Sequence, residues 1–266
     1  MELLIENDYI RRHCIQERQS ISVCMAVHNG SKFIEEQIAS ILPQLGENDE
    51  LVIVDDASID ETIAIIEGFN DEHIRLVRHE YNRGVIQSFE HALKEAKGEI
   101  IFLADQDDIW RPDKVVKFLE MFRIYPDVTV VQSDCSIIDY YGNITSKSRL
   151  KMRGIREFYP GALRNLARNL YQGSAMAFRR SILEFCLPFP VDIPMHDMWI
   201  GIVNQFVGKA GFIEKPLLLW RRHGGNDSRE NHAPLMQMII WRLALVKNLA
   251  ILYAKLAVLR RGHVTI

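Results

Sequence analysis

The sequence predicts an α/β protein built on a mostly parallel sheet with helices on both faces, and three observations carry that prediction. Short apolar, β-rich runs recur at 21–27, 51–54, 74–77 and 100–103. Helical patterns separate them, so the element order is βαβα. The runs are nearly continuous in apolar residues rather than alternating, as in strands buried on both faces. In such sheets ligands bind beyond the carboxyl ends of the strands.

Each element has its own signal. Asn29-Gly30-Ser31 leads from the first strand into a helix whose Phe33, Ile34, Ile38, Ile41 and Leu42 are spaced to face the sheet and which ends near Pro43. Ser58-Ile-Asp-Glu61 has the capping-box pattern, and Ile63, Ile66 and Phe69 follow at helical spacing. A third helix covers 85–96, closed by Lys97-Gly98. Past Trp110 the spacing predicts a helix over 112–124, a strand near 128–132 and a polar stretch over 140–152. There Arg149, Lys151, Arg153 and Arg156 form a basic run that is either a solvated loop or a contact for phosphate. Gly173-Ser-Ala-Met-Ala-Phe-Arg179 reads as a strand entering the core, and Met195-His-Asp-Met-Trp199 opens a helix through 207.

Residues 234–266 form one long helical pattern through Leu235, Met238, Ile239, Trp241, Leu245, Leu249, Leu252, Leu256 and Leu259. Its polar side, with Gln237, Lys247, Asn248 and Lys255, is narrow. No uninterrupted apolar run reaches the roughly 18 residues of a membrane span. Two dispositions are open. The helix buries against the body or a second subunit, or it lies in a membrane interface with Arg242 and Lys255 snorkelling and Arg260 and Arg261 toward anionic headgroups.

Composition narrows the partners. The chain has 266 residues, 48% hydrophobic and 25% charged, with a formal net charge of −3 and a pI near 6.3. No global basic field draws nucleic acid, so none is expected as a partner. Cys14, Cys24, Cys135 and Cys186 stand far apart without a Cys-x-x-Cys pair, the usage of buried reduced thiols. The acidic amino-terminal stretch lacks the pattern of a secretory signal, and a cytoplasmic catalytic part is expected.

The chemistry concentrates in Ile100-Ile-Phe-Leu-Ala-Asp-Gln-Asp-Asp-Ile-Trp110. Three carboxylates within four residues at the end of a buried strand repel one another unless a divalent ion or a proton offsets the charge. Magnesium or manganese takes carboxylate oxygens and completes its shell with nucleotide phosphates. The alternative is a solvated acidic turn before the next helix. The second strand ends in Asp55 and Asp56, where carboxylates can accept hydrogen bonds from a base N–H or ribose hydroxyls, or simply form a turn. Asn82-Arg83-Gly84 starts a helix and would set a guanidinium and free N–H groups near a diphosphate.

In this order, Val27-His-Asn-Gly30, Val54-Asp-Asp-Ala-Ser58, Asn82-Arg-Gly84, Leu103-Ala-Asp-Gln-Asp-Asp108 and Pro112-Asp-Lys114, the motifs resemble family 2 glycosyltransferases of GT-A fold. The Ala-Asp-Gln-Asp-Asp-Ile-Trp wording is most similar to the rhamnosyltransferase-like branch. The resemblance implies a Rossmann-like sheet flanked by helices, an acceptor-side second half and an apolar terminal helix. The divisions it implies are an extension over 1–19, a nucleotide-sugar half over 20–125, an acceptor-binding and catalytic half over 126–233, and the helix of 234–266.

By that resemblance Ala26, Asp55 and Asp56 line the nucleoside pocket, Arg83 approaches the nucleotide, Asp105 lies against ribose or metal, and Asp107 binds the metal. Asp197 matches the general base at a helix start. His223, in Arg221-Arg-His-Gly-Gly-Asn-Asp-Ser228, matches a closing-loop metal ligand. Three departures stand out. His28 replaces the usual Tyr, His196 replaces the usual acid before the base, and the Gln-x-x-Arg-Trp signature of processive synthases is missing.

The expected activity is inverting, metal-dependent transfer, with Mn2+ or Mg2+, from a dTDP- or UDP-sugar, rhamnose among the candidates, to a glycan or lipid-linked hydroxyl. Homodimerisation or peripheral contact with the inner face of the cell membrane would run through the terminal helix. Two rivals remain at this stage, a sugar-nucleotide nucleotidyltransferase and a non-catalytic acidic metal-binding α/β module. The first usually shows a Gly-rich basic loop where this chain has His28-Asn-Gly-Ser-Lys-Phe33, and the second leaves the second half unexplained.

Overall fold

A computed structural model of the chain describes residues 18–155, 158, 161–167, 169–223 and 234–262. Its strands are β1 (Ile21–Val27), β2 (Glu50–Asp55), β3 (Ile74–Arg78), β4 (Ile100–Asp105), β5 (Ile109–Trp110), β6 (Val128–Ile138), β7 (Ile144–Ser146), β8 (Met176–Arg179) and β9 (Lys209–Arg221). Its helices are α1 (Ile34–Ile41), α2 (Thr62–Gly68), α3 (Val85–Glu95), α4 (Lys114–Ile124), α5 (Arg149–Met152), α6 (Ala162–Ala167), α7 (Leu183–Cys186), α8 (His196–Val207) and α9 (Leu235–Gly262).

The strands join in one sheet in the order β3-β2-β1-β4-β8-β6-β9-β5, with β7 beside β6. From β3 to β4 the pairing is parallel, as expected, and the register sets Ala26 opposite both Val54 and Asp105. Strand β8 enters antiparallel between β4 and β6, and β9 runs parallel to β6, so the whole sheet is mixed. One continuous sheet therefore carries both halves of the chain.

Side-chain alternation assigns the two faces. Ile21, Val23, Met25 and Val27 of β1, with Ile100, Phe102 and Ala104 of β4, pack on α1 and α4 through Ile34, Ile38 and Phe118. The intervening Cys24, Ile101 and Leu103 face the other way, toward Phe89 of α3 and Trp199 and Ile202 of α8. Helix α9 adds Leu245, Leu249 and Leu252 to that second cluster. Both faces are covered, and the strand ends are where polar groups collect.

Several elements differ from expectation. The capping box does not form, because the Ser58 hydroxyl accepts the Asn29 N–H at 2.9 Å instead. Asp60 serves the start of α2, accepting the Thr62 N–H at 3.1 Å and the Ser31 N–H at 3.1 Å. Burial raises its carboxyl, but the bonds from Thr62 and Ser31 outweigh it and hold the pKa down at about 2. Strand β6 is longer than the 128–132 expected, and the segment read as a strand at 173–179 opens with a 3-10 turn at Gly173–Ala175. No strand was expected over β9 or β5, which pair antiparallel through Ile109 and Leu219. Cys24, Cys135 and Cys186 are buried free thiols whose pKa values burial drives up, while Cys14 lies outside the described residues.

Candidate active site

The floor of the site is the rim formed by the carboxyl ends of β2, β1 and β4. Ala26 is the β1 residue at this rim, between Val54 and Asp105. Two loops are cross-braced above it. Gln106 accepts the His28 N–H at 2.8 Å and donates back to the His28 carbonyl at 3.2 Å, tying the β1 loop to the acidic loop. A Cβ on Gly30 would stand 2.7 Å from the Gln106 Oε1, so a larger residue there would shift the Gln106 amide that makes this bracing. Asn29, at φ 51°, accepts the Ile59 N–H at 2.9 Å, and the His28 Nδ1 lies 2.8 Å from the Asp56 carbonyl. Thus His28 acts as a hydrogen-bonding hinge pin between loops.

Asp55 and Asp56 are both buried but differ in use. Asp55 accepts the Ser58 N–H at 3.2 Å through one oxygen, and its Oδ1 has no hydrogen-bond partner within the protein. Asp56 spends both oxygens on structure. Its Oδ1 accepts from the Arg83 N–H at 2.9 Å and sits 2.7 Å from the His79 Nδ1, while its Oδ2 accepts the Gly84 N–H at 2.8 Å. Burial alone would raise this carboxyl, but the His79, Arg83 and Gly84 bonds overcome it and hold the pKa below the usual value. His79 reaches on to His91 at 2.9 Å, a chain running from Asp56 into α3. Asp56 therefore shapes the Asn82-Arg83-Gly84 turn, and Arg83 is exposed with its guanidinium 5.0 Å from the Tyr81 ring centroid.

The acidic loop is held from β9. Arg221 is buried and donates from its backbone N–H to the Asp108 Oδ1 at 3.0 Å and from Nε to the Asp107 carbonyl at 2.8 Å. Its remaining nitrogens reach the Tyr140 carbonyl at 3.1 Å and Glu36 at 2.5 Å, and it stacks over Phe33. Two residues on, the His223 Nε2 lies 2.8 Å from the Asp107 Oδ2. The structure thus joins two residues that sequence resemblance alone had paired, across 116 positions. The Asp105 carbonyl accepts from Gln37 at 2.7 Å, which fixes the end of β4.

Asp108 and Lys114 form the buried electrostatic base of this loop. Burial, with the charges of Asp107 and Asp105, pushes the Asp108 carboxyl well up. Burial also lowers Lys114 to about 7, against the pull of Asp108 and Asp105. Lys114 donates to the Ser174 carbonyl at 2.6 Å and stands 3.9 Å over the Trp110 ring. Lys114→Met removes the buried donor from the Ser174 carbonyl. We expect about 1–3 kcal/mol of lost stability, the scale for leaving a buried polar group unsatisfied. Urea denaturation at pH 7.5 measures it, and an unchanged midpoint would refute a structural role for Lys114.

Asp197 lies in the first turn of α8, where backbone N–H groups and the helix dipole favour a carboxylate. It accepts from the Met198 N–H at 2.5 Å, the Gly173 N–H at 3.1 Å and the Asn169 side-chain amide at 3.2 Å. Burial nonetheless raises its pKa above the usual carboxylate value, partly offset by those N–H groups and the charge of Arg149. Gly173 packs closely. A Cβ there would lie 3.6 Å from the Asp197 Cβ and 3.7 Å from Leu103 of β4, so the Gly173 turn lies between Asp197 and the strand that ends in Asp105. His196 is buried, stacked 4.0 Å over Phe89, with both nitrogens unpartnered, and burial lowers its pKa to about 3. It is neutral at pH 7, so it brings no positive charge beside Asp197.

Among the described residues, no set of three His, Cys, Asp or Glu side chains converges on one point. The Asp107–His223 pair still fits a divalent cation. It offers a carboxylate oxygen and an imidazole nitrogen side by side, each side chain about one-sixth exposed. Sequence reasoning missed Arg221, Lys114, Gln106 and Gly173 as the residues that position the site. Lys114, Gln106 and Arg221 stand in motifs that the resemblance rests on and Gly173 in a segment read as a strand, but nothing in those motifs marked this role.

The sheet order, acidic strand ends and carboxylate-bearing helix define a GT-A nucleotide-sugar transferase fold. The Glycosyl transferase family 2 model matches residues 22–187. The chain belongs to glycosyltransferase family 2. WfaP of Escherichia coli, a UDP-Glc:alpha-D-GlcNAc-diphosphoundecaprenol beta-1,3-glucosyltransferase, is 32% identical over 82% of this chain and 83% of its own. A glycosyltransferase of Nostoc is 28% identical over 78% of this chain and 66% of its own, so the chain spans slightly under two thirds of that relative.

Among solved structures, Staphylococcus aureus TarS with UDP-GlcNAc superposes with a TM-score of 0.67 at 20% identity, covering 85% of this chain and 65% of that one. The Pyrobaculum calidifontis mannosyltransferase with GDP-Man and Mn2+ gives 0.60 at 19% identity, over 98% and 87%. These likenesses show the fold. The relatives named by reaction are glucosyltransferases, which leaves the rhamnosyl branch as a proposal.

Proposed function

We propose that this protein is an inverting glycosyltransferase that moves a hexosyl or deoxyhexosyl unit from a nucleoside-diphosphate sugar to a hydroxyl of a glycan or lipid-linked acceptor. The observation that carries the reading is the bond from the Gly173 N–H to Asp197, made in a turn beside Leu103 of β4, the strand whose end leads to Asp105 and Asp107. Asp55, whose Oδ1 is buried without a partner, would accept a base N–H, and Arg83 would approach the diphosphate. Asp107 and His223, with Asp105, would hold a divalent ion, which supplies positive charge against the diphosphate when bound.

The Asp197 carboxylate takes the proton of the acceptor hydroxyl as that oxygen bonds to the anomeric carbon. The bond from the anomeric carbon to the diphosphate breaks on the opposite face, and the electron pair leaves with the nucleotide. One displacement inverts the centre. Burial of Asp197 raises its basicity for this proton transfer.

We take UDP-glucose as the first donor to test, since WfaP is named for it, and dTDP-rhamnose as the second, from the Ala104-Asp-Gln-Asp-Asp-Ile-Trp110 wording. A polyprenyl-diphosphate glycan at the inner membrane face is the acceptor we favour, again by likeness to WfaP. Unfolding temperature is to be measured with UDP, dTDP and GDP, each with and without Mn2+. We expect one nucleotide to raise it by several degrees only when the ion is present, as mass action requires of a ligand bound to the folded state. No shift with any nucleotide would defeat the reading, and pyrophosphate release from a nucleoside triphosphate and a sugar phosphate would favour nucleotidyl transfer.

A further inference from the structure

Helix α9 has two apolar sides, and only one of them is covered. Toward the body, Leu245, Leu249 and Leu252 are buried in the cluster that holds Met198, Trp199 and Ile202 of α8. Asn248 donates to Asp192 at 2.7 Å, and Lys247 is ion-paired with the same carboxylate. On the far side Met236, Ile239, Ile240, Leu243, Val246 and Tyr253 stand 45–69% exposed. At about 100° per residue these six fall within an arc of about 140° that also holds Lys247 and is centred about 140° from the buried leucines. An exposed apolar surface this large marks an interaction site.

Charge identifies the occupant. Residues 235–262 contain Arg242, Lys247, Lys255, Arg260 and Arg261 and no Asp or Glu, in a chain whose net charge is −3. A second copy docked helix to helix would bring together two cationic helices, neither carrying a carboxylate of its own, with Asp192 of the body offsetting Lys247 alone. An anionic bilayer surface meets both features, since acyl chains accept the apolar arc and headgroups accept the cations. No helix among the described residues is long and apolar enough to cross a membrane, so the helix would lie along the surface.

We propose that the outer face of α9 docks the protein on the surface of an anionic lipid bilayer. The inner face shares an apolar cluster with α8, whose first turn carries Asp197, so docking would hold the acceptor side of the enzyme at the lipid surface. The docking itself does not depend on which reaction the enzyme performs.

The test is co-sedimentation of the full chain with vesicles of phosphatidylglycerol and phosphatidylcholine, against vesicles of phosphatidylcholine alone. We expect binding to the anionic vesicles that falls roughly tenfold or more in pure phosphatidylcholine or in 0.5 M salt. The triple variant Ile240→Glu, Leu243→Glu, Val246→Glu should weaken binding roughly a hundredfold with unchanged unfolding temperature, because these positions are exposed. Absence of binding to anionic vesicles, or equal binding by parent and variant, overturns the proposal. So does light scattering that shows a dimer of the parent dispersed by the same triple variant, which would make this face a subunit seam.

Discussion

Asp197→Asn is expected to cut sugar transfer by about 10³-fold, within the range of roughly 10²- to 10⁴-fold that a positioned general base contributes. The nucleotide-induced rise in unfolding temperature should persist, because Asp197 is held by Gly173, Met198 and Asn169 rather than by the Asp107–His223 pair. Transfer at normal rates in this variant would remove Asp197 from the mechanism. The parent enzyme supplies a second readout. The base must be ionised, and burial raises its pKa, so transfer should fall as pH drops through a value above the ordinary carboxylate range. In stability the sign is opposite. A carboxyl whose folded pKa is raised binds its proton more tightly in the folded state, so protonation on acidification favours folding. The acid limb of the rate profile should therefore appear while the protein is still folded. His196, neutral because burial holds it at about 3, adds no second limb near neutral pH.

Asp107→Ala should abolish both transfer and the metal-dependent nucleotide shift, a loss of at least about 10³-fold in kcat/KM, or about 4 kcal/mol. The two variants thus separate binding from chemistry. One loses turnover alone, and the other loses turnover together with nucleotide affinity. The variant should stay folded, since the Asp107 carbonyl rather than its carboxylate is what Arg221 grips. Calorimetry with Mn2+ and UDP checks this directly. Full metal-dependent nucleotide binding by Asp107→Ala would remove Asp107 from the cation site.

The parallel half was legible because its strands are short, apolar and separated by helical periods, and β1 matches its expected bounds of 21–27. The position of the acidic rim was legible for a similar reason, as Asp55, Asp56 and Asp105 end or follow apolar runs that form β2 and β4. Strand β9 was not legible, and Pro216 shows why. Proline donates no hydrogen bond and argues against a strand interior. Here the register slips from Ser133 opposite Ile213 to Asp134 opposite Pro216, a bulge that lifts Glu214 and Lys215 out of the pairing. Ser58 misled for another reason. Its local pattern fitted a helix cap, but a partner nearly thirty residues earlier, Asn29, claimed its hydroxyl. Arg221 and Lys114 were invisible as positioning residues because their partners lie far away in sequence, and a lone cation carries no mark of its burial.

The acidic loop rests on strand β9 through the Ile109–Leu219 pairing and the grip of Arg221. A nascent chain that has already emerged with every carboxylate of the signature still lacks the support that shapes them. Competence thus comes late in translation, once Arg221 has emerged. Proteolytic trimming from the carboxyl end into this strand would disarm the protein while leaving its diagnostic motif intact.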